Sequence, residues 1–148
     1  GQNAFMLACR NGHTSCAEAL LNKGAEVALA VPVIKADIRL EEPIGSTALH
    51  AASKFGHIDT VGLLIRHSAS VNALLADGKT PLLLAAMNGH TATVARLLNS
   101  NAQPELADTA GFTPLLFAAE NGHEDATFAL LDVQCNFDVT NADGWSAL

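Results

Sequence analysis

Residues 78–90 read GKTPLLLAAMNGH and residues 111–123 read GFTPLLFAAENGH. The same frame appears as GSTALHAASKFGH at 45–57 and as GQNAFMLACRNGH at 1–13. Gly45, Gly78, Gly111 and Gly144 recur every 33 residues, as do Thr47, Thr80, Thr113 and Ser146. Gly56, Gly89 and Gly122 form a third register, and each is followed by His57, His90 or His123. A fixed period of this length marks a stack of small units, none of which buries its apolar faces alone.

Local chemistry tells how each unit folds. Thr80 before Pro81, and Thr113 before Pro114, pair a side-chain cap with a residue whose φ is already helical, so a short helix starts there. Leu82, Ala85 and Ala86 fall at helical spacing, and the small alanines allow neighbours to pack closely. Gly89 tolerates positive φ and ends that helix. A second helix follows, with Val94, Leu97 and Leu98 on one face; Val61, Leu64 and Ile65 repeat the pattern one unit earlier.

These residues resemble the ankyrin repeat, whose motif is roughly DxxGxTPLHxAAxxGHxxxVxxLLxxGAxxN. Gly24-Ala25, Ser68-Ala69, Asn101-Ala102 and Gln134-Cys135 stand at its GA position. The resemblance implies an all-α solenoid of helix-turn-helix units joined by β-hairpin or loop fingers. The units are expected over about 1–30, 42–74, 75–107 and 108–140, with a fifth beginning at 141–148. An insertion over about 29–41 lengthens the first finger. Ile34, Ala36, Ile38 and Leu40 alternate there with Lys35, Asp37, Arg39 and Glu41, which suits an extended half-buried strand; a plain surface loop suits it as well. The partial units at both ends suggest a piece of a longer protein.

Composition narrows the function. The chain has 148 residues, 49% of them hydrophobic, enough for a core and too many for disorder. Eight Lys and Arg against fifteen Asp and Glu give a formal charge of −7, the wrong sign for a phosphate backbone, so no nucleic-acid partner is expected. The longest apolar run, near Val27–Ile34, contains Pro32 and is too short for a bilayer. Cys9, Cys16 and Cys135 form no CxxC pair, which suits reduced thiols in the cytoplasm or nucleus.

The six histidines are the candidate metal ligands and acid–base groups. His13, His57, His90 and His123 sit one unit apart, on the order of 10 Å, too far for adjacent ones to share a metal with ligand bonds near 2 Å. The resemblance implies that each hydrogen-bonds backbone of an adjoining turn, and that His50, in the TPLH position, is structural. Met6, Leu83 and Leu116 replace it elsewhere. Cys9, Cys16 and Cys135 map to core or inward positions, where thiols are inert. Neither GxGxxG nor GxxxxGK[ST] occurs, and Glu124 and Asp125 offset a helix dipole. No enzyme activity, cofactor, metal or small-molecule substrate is expected.

The resemblance implies instead a protein-binding scaffold whose partner, a protein or peptide, meets a concave face of finger tips and first helices. Its positions here are Arg10 and Asn11; Pro43, Ile44, Ser46, Lys54 and Phe55; Ala76, Asp77, Lys79, Met87 and Asn88; Thr109, Ala110, Phe112, Glu120 and Asn121; and Asp143 and Trp145. Phe55, Phe112 and Trp145 are the expected aromatic anchors, with Met87 adding adaptable apolar contact. Phe5, Phe117 and Phe137 map to the core. The alternative is a targeting or regulatory region of a larger enzyme, channel or bacterial effector. The resemblance also makes Asn72 a position open to hydroxylation.

Overall fold

A computed structural model describes residues 4–25, 46–133 and Gly144. The insertion over 29–41 and Pro43, Ile44, Cys135, Phe137, Asp143 and Trp145 lie outside the described residues. Eight helices are described: α1 (Ala4–Arg10), α2 (Thr14–Asn22), α3 (Ala48–Lys54), α4 (Ile58–Arg66), α5 (Pro81–Met87), α6 (Thr91–Leu98), α7 (Pro114–Glu120) and α8 (Glu124–Leu131). They fall into pairs, α1 with α2 through α7 with α8.

Helices α3, α5 and α7 begin where the threonine stands. The hydroxyls of Thr47, Thr80 and Thr113 accept from the backbone N–H groups of His50, Leu83 and Leu116, and Pro81 and Pro114 open the last two of these helices. Each ends at a glycine with positive φ, +73° at Gly56 and +71° at Gly89. The chain then folds back, His57 N–H donating to Ala52 O at 2.9 Å and His90 N–H to Ala85 O at 3.0 Å.

Pairs stack in register. α1, α3, α5 and α7 form one layer, each packed on the next, and α2, α4, α6 and α8 form the other. A single core runs through both, including Phe5, Leu49, Val61, Leu64, Leu82, Val94, Leu97, Leu115 and Leu130. At about 25 cal/mol per Å² of apolar surface, each fully buried leucine contributes roughly 2 kcal/mol, shared across unit boundaries.

The fingers are simpler than hairpins with ladders. Leu75 N–H donates to Lys79 O at 3.0 Å, Asp108 N–H to Phe112 O at 3.0 Å, and Thr109 N–H to Asp77 O at 2.9 Å, joining adjacent fingers. No strand is formed among the described residues, because these few bonds close turns without extending a ladder. The all-α class stands.

Two side chains differ from their expected positions. Ser46 is fully buried at the base of its finger, next to the Thr47 cap, rather than on the outer face. Cys16 is exposed rather than inward. Its counterparts Thr60 and Thr93 are buried under the preceding unit; no such unit lies over Cys16 among the described residues.

Candidate functional site

The ends of the first helices line up along the stack as Arg10-Asn11, Lys54-Phe55, Met87-Asn88 and Glu120-Asn121. They are fixed from behind. His57 Nε2 meets the Arg10 carbonyl at 2.8 Å, His90 Nε2 the Lys54 carbonyl at 3.0 Å, and His123 Nε2 the Met87 carbonyl at 3.1 Å. A carbonyl only accepts, so each Nε2 carries the proton and donates. The histidines thus bond the preceding unit, tying each helix end to its neighbour. Asn88 Nδ2 donates to Leu84 O at 2.7 Å, and Asn121 Nδ2 to Phe117 O at 2.9 Å and Met87 O at 3.4 Å.

On this rim Phe55 is 40% exposed. The Arg10 guanidinium lies 5.6 Å and the Lys54 ammonium 5.3 Å from its ring centroid, within cation–π range. Met87 and Lys54 are half-buried, and Asn88, Glu120 and Asn121 are exposed.

The fingers place the other expected residues. Lys79 Nζ pairs with Asp77 and lies 3.7 Å from Asp108 Oδ2, so it bridges two adjacent fingers. Partial burial pushes the Asp77 carboxyl up, but hydrogen bonds from Lys79 outweigh this and hold it below the usual range. Ala76, Thr109 and Ala110 are exposed beside them. Phe112 is half-buried and stacks on Phe117 at 4.6 Å between centroids. The two phenylalanines expected on opposite sides of the surface therefore cover each other: Phe112 is less open, and Phe117 less buried, than their positions suggested. Asn72 is also engaged, its Nδ2 donating to Asn101 O at 3.2 Å and its Oδ1 accepting from Gln103 N–H at 2.9 Å.

Phe128, on α8, escaped the sequence reading and is 64% exposed. A signal was available, because its counterparts one and two units earlier are Ala95 and Gly62. A Cβ at Gly62 would lie 2.9 Å from Arg96 Nη2 of the next unit, so in α4 this helix position is covered by the unit stacked on it.

Shallow clefts open between the starts of neighbouring second helices. One of about 340 Å³ is lined by Gly89, Thr91, Gly122 and residues 123–126, and one of about 240 Å³ by Gly12, Thr14, Gly56 and residues 57–60. Their linings correspond unit for unit, so they are products of stacking and not one specialised pocket. Burial pushes the Cys9 thiol up to about 12, leaving it protonated and unreactive near neutral pH. Among the described residues no three His, Cys, Asp or Glu side chains converge as metal ligands, and no helix is long and apolar enough to cross a membrane.

A family model described as ankyrin repeats (3 copies) matches residues 1–74, 27–108 and 85–148, which together span the chain. With paired helices, Thr-Pro starts, Gly-His turns and stacked registers all in place, the chain belongs to the ankyrin-repeat family, whose members are in general protein–protein interaction modules.

Proposed function

We propose that this array is a non-catalytic scaffold that holds a partner protein or peptide on its concave face, the ladder of first-helix ends together with the finger tips. One observation carries the reading: Phe55 keeps 40% of its surface open on a rim whose backbone is pinned by inter-unit hydrogen bonds. An exposed aromatic on a rigid support binds with little loss of conformational freedom, and truncating such an anchor often costs 2 kcal/mol or more. Met87 extends the apolar contact to the next rung. Lys54, Asn88, Glu120 and Asn121 supply a polar border, and Asp77 and Lys79 a charged edge at the fingers.

The test replaces Phe55 and Met87 together by alanine. Proteins recovered from native cells on the immobilised wild-type array should bind the double variant at least tenfold more weakly by calorimetric titration. The thermal midpoint should move by no more than a few degrees, because both side chains already face solvent in part. Undiminished binding would put the docking surface elsewhere. Phe112 is left intact, since its stack on Phe117 contributes to folding.

A further inference from the structure

The second helices stack in register, so the C-terminal ends of α2, α4 and α6 follow one another along one edge of their layer. That edge is basic in a chain whose formal charge is −7. Lys23 caps α2, Arg66 is the last residue of α4, His67 caps it, and Arg96 stands in the last turn of α6; all four are exposed. Among the described residues, ion pairs join Lys79 to Asp77 and Asp108, and none reaches Lys23, Arg66 or Arg96. In the fourth unit Asp132 holds the position of Arg66, so the basic row closes after the third unit.

Cations at helix C-termini offset the carbonyl dipole, which accounts for Lys23 and Arg66. It does not account for where Arg96 lies. Gly62 is buried in the middle of α4, where glycine is a poor helix former, and a Cβ there would lie 2.9 Å from Arg96 Nη2. The missing side chain thus gives the Arg96 guanidinium a bed on the neighbouring unit's helix. Arg66 follows Gly62 by four residues, on the same face and about 6 Å along the axis. Asp59 stands one turn before Gly62 and forms no ion pair with Arg96. Two guanidiniums are therefore directed to one exposed helix face, an arrangement that repels itself until an anion joins them.

We infer that this edge docks an acidic segment of a partner protein, with one carboxylate between Arg66 and Arg96 and another over Lys23. Guanidinium forks match carboxylates bidentately, and His67 adds a donor beside them. Stacked helices lie about 8–10 Å apart and an extended chain rises about 3.3 Å per residue, which sets the acidic residues about three positions apart. The surface is separate from the ladder of first-helix ends and stands or falls independently of it.

Fluorescence anisotropy with a labelled Glu-Gly-Ser repeat peptide, which is acidic at every third position, tests this at low ionic strength. The folded chain should bind that peptide, bind its Gln-for-Glu counterpart at least tenfold more weakly, and release it as salt is added. Arg66→Gln with Arg96→Gln should weaken binding at least tenfold and leave the melting midpoint near that of the wild type, because both side chains are exposed. Gly62→Ala favours the helix while pushing the guanidinium off α4, so it should weaken binding about threefold without lowering the midpoint. Phe55→Ala with Met87→Ala should bind as the wild type does. No binding, undiminished binding by the double arginine variant or by Gly62→Ala, or loss on the Phe55 and Met87 variant instead would overturn the inference. Tighter binding of an oligothymidylate than of the peptide would overturn it too, by making the edge a phosphate-backbone site.

Discussion

His50 shows how much one side chain does when the fold surrounds it. It is fully buried; its Nδ1 accepts from Thr47 N–H at 3.1 Å, and its Nε2 donates to Ala73 O at 3.0 Å. It completes a capping box at the start of α3 and ties that helix to the finger that follows. Desolvation pushes its pKa down to about 4 from 6.5, although the carbonyls of Ala73 and Lys79 and the Asp77 charge act in the opposite direction. The unfolded chain therefore binds a proton first as pH falls. Stability held in full above the unfolded value of 6.5 should decline below it, with a total loss of about 3 kcal/mol by pH 4. Urea midpoints measured between pH 7 and 4 should show this slope in the wild type. His50→Leu, the residue type at positions 83 and 116, should flatten it; equal slopes in both proteins would assign the pH dependence to other groups.

At the scale of elements, the Gly-His turn is the repeated joint. Gly89 has φ +71°, and a Cβ there would lie 2.6 Å from His123 Nδ1. Gly122 has φ +70° but no described atom within 4 Å of such a Cβ. Both glycines are needed for backbone geometry, but only Gly89 also makes room for the next unit's imidazole. Gly122→Ala should therefore cost about 1 kcal/mol of strain, whereas Gly89→Ala should cost about 2–3 kcal/mol by also displacing the His123 bond to Met87. Denaturant midpoints of the two variants check the contrast, and equal losses would mean that the ring moves aside freely. The glycines were legible in the sequence because a helix end is local chemistry. That they cradle the next unit's histidine was not, since the contact spans 34 residues, from Gly89 to His123.

For the whole molecule, stacking decides which polar groups find partners. Thr60 Oγ1 lies 2.7 Å from Thr14 Oγ1 of the unit before. One unit along, Thr93 occupies the position of Thr60, but Ile58 stands where Thr14 would be. The buried Thr93 hydroxyl accordingly has no partner. Thr93→Val should raise stability by about 1 kcal/mol, since an unsatisfied buried hydroxyl costs roughly that or more. A lowered denaturation midpoint would show that the hydroxyl is satisfied after all. Phe112 and Phe117 teach the same lesson: the register assigns the first to the docking surface and the second to the core, and only the folded backbone brings their rings to 4.6 Å.

The 33-residue period, the threonine caps and the Gly-His turns determined the repeat and its helix pairs, because each depends on a few adjacent residues and recurs at a fixed spacing. The same register put Phe55 and Met87 on the rim. Tertiary structure alone decided that Ser46 is covered, that Cys16 is open, that Lys79 clamps two fingers and that Arg10 reaches Phe55. Those outcomes depend on what the neighbouring unit places opposite each side chain, and a solenoid makes such contacts between residues distant in sequence.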